Sequence, residues 1–268
     1  MLKDITLGQF FPGDTVAHRL DPRTKILLVV LYIVALFCAK SLLAYGILAA
    51  VLAVCVRISR VGIKSLVRGL KPVVFIIVFT GILNLFFTPG EHILAELGFL
   101  RISAEGLQNA VFMVLRIMLL IMGTFLMTYT TSPIRLTDGL ESLLGPLKRL
   151  RVPVHELAMM MAIALRFIPT LIEETDKIMS AQKARGADFE SGNIFQKAKA
   201  LVPILVPLFI SAFRRADELA TAMECRCYHG GDGRTKLHVL HYQKRDYVAL
   251  LCGAVILVSV LVLRHFSV

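Results

Sequence analysis

The sequence predicts an all-α fold: a polytopic membrane helix bundle of about five spans with a cytoplasmic region of long helices. Three observations carry this. Hydrophobic residues make up 56% of the 268 residues. The mean hydropathy is +0.72. Only 18% of the residues are charged, against about a quarter in a soluble domain. This composition excludes a disordered chain, a fibre and an ordinary cytosolic enzyme. The formal net charge is +11, and the bases stand between apolar runs, as Lys and Arg do on the cytoplasmic loops of membrane proteins. Nucleic-acid binding would need an exposed basic patch interleaved with aromatics. The partner expected from composition is therefore a lipid bilayer, with no nucleic acid.

Residues 1–25 are polar and broken by Pro12 and Pro22, so no cleavable signal peptide is read there. Apolar runs follow at 26–39 and 42–56, parted by Lys40 and Ser41. Each would rise about 21–23 Å as a helix, short of a hydrocarbon core of about 30 Å, and flanking residues must supply the rest. One long tilted helix over 26–56 is the alternative. Arg19, Arg23 and Lys25 lie before these runs, and Arg57, Arg60, Lys64, Arg68 and Lys71 after them. Only a hairpin puts both basic groups on the cytoplasmic side. A third span is expected at 72–87, opened by Pro72 where a missing N–H costs nothing. The stretch 88–105 carries Glu91, Glu96 and Glu105 against the single base Arg101, which suits the outer side. A fourth span is expected at 107–130. It contains Arg116, which costs roughly 2.5–3.5 kcal/mol at a bilayer centre and so should face protein, lie near an interface or snorkel. The last span is expected at 247–263, ending at Arg264 and His265. The N-terminus is then inside and the C-terminus outside, and the chain divides into 1–130, 131–245 and 246–268.

The segment 131–245 is basic. Ser132-Pro133 reads as an N-cap and first helical residue, and Leu136, Leu140, Leu143, Leu144 and Leu147 recur at helical spacing over 133–150. Dense apolar runs at 157–172 and 200–213 could form a membrane hairpin with 173–199 outside. That link carries Lys177, Lys183, Arg185, Lys197 and Lys199, which opposes the outer side, so both runs read as long cytoplasmic helices. Pro203 and Pro207 should kink the second. Met159, Met160 and Met161 read as packing residues, or as an adaptable contact surface. Arg214 and Arg215, among Asp217, Glu218 and Glu224, read as local i,i+3 or i,i+4 pairs.

A short echo stands out. Each long helix ends on a central Arg with small neighbours: Ala184-Arg185-Gly186, and Cys225-Arg226-Cys227 41 residues later. A guanidinium is a planar fork suited to carboxylates and to helix-end carbonyls. A single Arg at a helix C-terminus is explained by the dipole alone; two copies with small flanks point to docking into a partner. Cys225 and Cys227 with His229 form C-x-C-x-H, which is not a usual zinc spacing. Cys38, Cys55 and Cys252 lie in apolar runs. The scattered cysteines make no disulfide framework. The stretch Gly230–Lys236 lacks Walker A spacing and reads as a turn, so any ATP used must be bound by another chain.

These residues carry a resemblance over nearly the whole length. The lead-in Pro12-Gly-Asp-Thr-Val-Ala-His18-Arg-Leu-Asp-Pro-Arg23-Thr-Lys25, the stretch from Pro133 to Glu141, and the stretch from Leu165 through Pro169 to Arg185-Gly186-Ala-Asp188 resemble the EcfT family. These are the transmembrane T components of energy-coupling factor (ECF) vitamin and metal transporters. The second short motif departs from Ala-Arg-Gly. The resemblance implies a bacterial cell-membrane protein without cofactor or active site. It implies two ABC-type ATPase subunits that bind ATP and receive the two Arg-tipped coupling helices in their grooves. It also implies a separate substrate-binding S component that is reoriented by ATP-driven motion. A self-contained secondary transporter or channel is the alternative; it calls for inverted repeats or broken helices with polar midplane sites. A membrane enzyme would need a titratable cluster in 131–245.

Overall fold

The computed structural model describes residues 10–88, 93–97, 100–187, 189, 193–230 and 239–266. Glu91, Asp188 and the turn expected beyond Gly230 lie outside the described residues. The chain divides into two compact units, one of 8–143 with 240–268 and one centred on 144–239.

The first unit is a helix bundle. A short helix α1 (Val16–Arg19) precedes α2 (Pro22–Cys38), α3 (Leu42–Ser59), α4 (Ile63–Leu70), α5 (Val74–Phe87), α6 (Ala104–Thr130), α7 (Pro133–Leu144) and α10 (Lys244–Phe266). The core lies between α2, α3 and α6, where Leu36, Tyr45, Leu48, Leu119 and Tyr129 are buried, with Val260 of α10 beside them. Gly123 of α6 lets Tyr32 approach so closely that a Cβ there would sit 2.7 Å from its ring.

The third span is longer than the sequence suggests. The helix starts at Ile63, passes through a 3-10 turn at Lys71–Val73, and runs on to Phe87. The bases at 64, 68 and 71 are exposed, but Leu66 and Leu70 between them are buried, so this amphipathic stretch lies along α6 as the first turns of the span. Phe125 of α6 fills the space over Gly69, and the Tyr129 hydroxyl donates to the Ser65 carbonyl at 3.3 Å. The stretch 88–105, expected on the outer side, contains a two-stranded antiparallel hairpin, β1 (Ile93–Leu97) with β2 (Leu100–Ser103), in which Leu97 pairs with Leu100 and Ile93 with Ser103.

Among the described residues, five helices are long and apolar enough to cross a bilayer: Leu42–Ser59, Ile63–Phe87, Ala104–Thr130, Val154–Ala184 and Lys244–His265. The count equals the sequence reading but the set differs. Pro22–Cys38 has 17 residues, about 25 Å, and is not among the five, whereas Val154–Ala184 is. The physical reason is that the apolar stretch of 157–172 sits inside one unbroken 31-residue helix.

The shortness of α2 resolves Arg116. The turn between α2 and α3 reaches only midway along α6, and there Arg116 donates through Nε to the Tyr45 hydroxyl (3.0 Å) and through Nη2 to the Ala39 carbonyl (3.4 Å). Ala39 caps α2, so the guanidinium stands at the negative end of that helix dipole.

The second unit holds α8 (Val154–Ala184) and α9 (Ile194–Cys225). Ahead of them Gly145–Leu150 forms a 3-10 turn that ends at Arg151 in the left-handed region, φ +60°. The two long helices pack antiparallel. Glu174 of α8 accepts from Ser211 and from Arg215 Nη2 (2.7 Å), while Gln182 lies beside Pro203. Arg215 therefore pairs across to α8 rather than within its own helix, contrary to the local pairing read from the sequence. Pro207 has no N–H to offer the carbonyl four residues back. That carbonyl, of Pro203, accepts instead from Gln182 Nε2 at 3.5 Å.

Candidate functional site

The two arginine tips share one backbone geometry. At the end of α8, the Ala187 N–H donates to the Gln182 carbonyl (3.0 Å) and the Gly186 N–H to Lys183 (3.0 Å). At the end of α9, the Tyr228 N–H donates to Met223 (3.0 Å) and the Cys227 N–H to Glu224 (2.8 Å). Both are Schellman closures, in which the residue after the C-cap adopts the left-handed conformation. Those residues are Gly186, at φ +87°, and Cys227, at φ +56°. Arg185 and Arg226 are the C-caps.

Cys227 thus occupies the position that Gly186 holds in the first copy. A side chain there opposes the left-handed backbone by about 1–2 kcal/mol, a cost glycine avoids. Ala184, Arg185, Gly186, Cys225, Arg226 and Cys227 are all exposed. Among the described residues neither guanidinium has an ion-pair or hydrogen-bond partner. Each cation caps the negative end of a long helix, with its fork open to a partner.

The antiparallel packing sets the tips far apart. Gln182, near one tip, lies beside Pro203, and from there α9 runs 23 residues to Arg226 (226 − 203), about 35 Å at helical rise. Along α9, Ile204 is buried, whereas Leu201, Val202, Leu205, Val206, Phe209 and Phe213 are exposed. Met160 and Met161 of α8 are exposed as well.

A second cluster lies at the base of the bundle and was missed as a network by sequence reasoning. Asp21 caps α2: its Oδ1 accepts from the Arg23 N–H (2.9 Å) and from Arg23 Nε (3.0 Å), and its Oδ2 from Arg23 Nη2 (2.9 Å). This holds the Arg23 guanidinium charged, its pKa raised chiefly by the Asp21 hydrogen bonds. The same guanidinium stacks on Tyr242, 4.0 Å from the ring centroid, and reaches the Ser142 hydroxyl at 3.3 Å. Arg23 thereby ties residues just before and just after the second unit to one point.

Asp246, 1% exposed, joins the starts of α2 and α10. Its Oδ1 accepts from the Asp21 N–H (2.9 Å) and its Oδ2 from the Gln243 N–H (2.8 Å), so one carboxylate serves two positive helix ends. Lys25 at the foot of α2 donates to the carbonyls of Thr130 (2.9 Å) and His18 (3.4 Å) and to the Thr131 hydroxyl (3.0 Å). Burial, with the Arg135 charge adding, brings its pKa down to about 8. The signal for this cluster was the lead-in motif itself; its partners at 130, 142, 242 and 246 are too distant in sequence to be read as contacts.

Apolar helices of spanning length define a multi-pass membrane protein. Residues 13–237 match the family described as cobalt transport protein. The chain is 56% identical over 266 residues to the energy-coupling factor transporter transmembrane protein EcfT of Clostridium kluyveri, covering 99% of this chain and 98% of that one. It is 54% identical over 263 residues to the protein of the same name from Thermosediminibacter oceani, covering 98% and 99%. With that of Bacillus subtilis it shares 46% over 261 residues, covering 97% and 98%. The chain belongs to this family of energy-coupling factor transporter transmembrane proteins.

Proposed function

We propose that the chain is the scaffold and energy-coupling subunit of an ATP-driven ECF uptake transporter. Arg185 and Arg226 dock into the grooves of two ABC-type ATPase subunits, which bind and hydrolyse the ATP. Closure of those subunits moves α8 and α9, and the motion reorients an S component that carries the substrate. The observation that carries this reading is the pair of matching, exposed arginine caps about 35 Å apart on two antiparallel helices. The exposed apolar side of α9, from Leu201 to Phe213, is the surface this reading gives to the S component.

Topology supports it. Arg23 touches both Ser142 and Tyr242, so the chain leaves and returns at one end of the bundle. The intervening segment must then cross the bilayer an even number of times. Of its two long helices, α8 is apolar enough to cross and α9 is not among the five that are. The link 173–199 carries Lys177, Lys183 and Arg185, which opposes an outer location, so this reading takes the even number as zero and keeps both helices on one side. That side carries Arg19, Arg23, Arg57 and Arg60, and an excess of bases marks the cytoplasm. The N-terminus is then cytoplasmic.

The test is replacement of both caps, Arg185→Gln with Arg226→Gln, in the complete transporter. Losing one partner of a buried charge pair costs about 2–5 kcal/mol. Uptake should therefore fall at least tenfold, with the ATPases dissociating or hydrolysing ATP without transport, while the bundle still inserts. Full uptake by the double variant rejects the coupling role.

A further inference from the structure

The bundle carries a second recognisable site that the coupling function leaves unused. A groove of about 900 Å³ opens between α2, α3, α6 and α10, within the size range of ligand pockets. Its walls are apolar: Leu28 and Tyr32 of α2, Ile58 of α3, Met127 of α6, and Val248 and Ile256 of α10 line it. The polar end is cationic, since Lys25 and Arg245 line it and no carboxylate does. Asp246 beside them is buried, with both oxygens taken by the backbone of Asp21 and Gln243. Arg245 is exposed, and among the described residues it has no ion-pair or hydrogen-bond partner.

The dimensions follow the layout of a lipid. From Arg245 to Ile256 the α10 wall runs 11 residues (256 − 245), about 17 Å. Half of a hydrocarbon core of about 30 Å is one leaflet. A slot one leaflet deep, apolar along its length and cationic where it meets the interface, is complementary to an acyl chain below a negatively charged headgroup. Small residues keep it open: Ala249 and Cys252 face it from α10, and Cys55 and Ala50 from α3.

We infer that this groove binds an anionic phospholipid, with one acyl chain between α3 and α10 and the phosphate at Arg245. The chain contains no tryptophan, so a single introduced Trp reports the site cleanly. Val248→Trp puts the reporter on the groove wall, and Val78→Trp puts it on exposed α5, outside the groove. The full-length protein is reconstituted in vesicles, and quenching by dibrominated phosphatidylglycerol is compared with quenching by dibrominated phosphatidylcholine. At position 248 the expected preference for phosphatidylglycerol is about fivefold, the contribution of one basic side chain near an anionic surface; at position 78 there is none. Adding Arg245→Gln should abolish the preference, and Arg245→Lys should retain it. Equal quenching by the two lipids at position 248, or a preference indifferent to Arg245→Gln, overturns the proposal. Repeating the titration on the assembled transporter should leave the preference intact. Its loss there would give the groove to a partner's helix instead.

Discussion

At the scale of single residues, the most informative comparison is between Gly186 and Cys227. Both close a helix in the left-handed conformation, and only one is glycine. The small-Arg-small echo was legible in the sequence as a repetition of residue sizes. What it meant for the backbone was not, because a cysteine gives no hint of positive φ. Cys227→Gly should strengthen the end of α9 by about 1 kcal/mol, whereas Gly186→Cys should weaken the end of α8 by a similar amount. Hydrogen exchange reads both: amide protons at 227 and 228 should exchange several-fold more slowly in the first variant, and those at 186 and 187 faster in the second. Unchanged protection in both would show that the caps are not held by these closures. Arg116 teaches a related lesson. Its cost in lipid was evident from its place in an apolar run, but its partners, the Tyr45 hydroxyl and the Ala39 carbonyl, depend on how far a neighbouring hairpin reaches.

At the scale of elements, the apolar runs marked most of the bundle helices, since each needs a continuous apolar stretch to sit in lipid. The boundary that failed is the start of the third span. The bases at 64, 68 and 71 point to the cytoplasmic side ahead of a span opened by Pro72, yet leucines at 66 and 70 are buried and make this stretch the first turns of the span. Proline there produced only a 3-10 turn. In the helical pair, the cross-link through Glu174 was invisible because Arg215 had acidic neighbours closer in sequence. That link is partly exposed, with Arg215 at 30% and Glu174 at 21%, so solvent screening limits its strength. Glu174→Ala should cost about 1 kcal/mol and raise the exchange rates of α9 amides around Ser211. Glu174→Gln, which keeps an acceptor for the Ser211 hydroxyl, should recover part of the protection. If the two variants behave identically to the parent, α8 and α9 are held by apolar packing alone.

The whole molecule divides into a rooted bundle and a helical pair. The lead-in motif around Asp21-Pro22-Arg23 builds the root, where Arg23 gathers the departure at Ser142 and the return at Tyr242. The fold class and the identity of the tips could be read from sequence, because apolar length and helix-end composition are local. The root could not, because its contacts join residues more than a hundred positions apart.

The central claim is that the arginine tips lie on the cytoplasmic side and are covered by ATPase subunits. Cys225 and Cys227 are exposed beside Arg226 and serve as native reporters once Cys38, Cys55 and Cys252 are replaced by serine or alanine. A membrane-impermeant maleimide should label them in inside-out vesicles stripped of ATPases, should fail to label them in intact cells, and should be blocked when the ATPases are added back. Ala184→Cys, in a background without the other cysteines, should behave in the same way. Labelling of either tip from the outer side, or labelling in inside-out vesicles that is indifferent to the ATPases, would contradict the account.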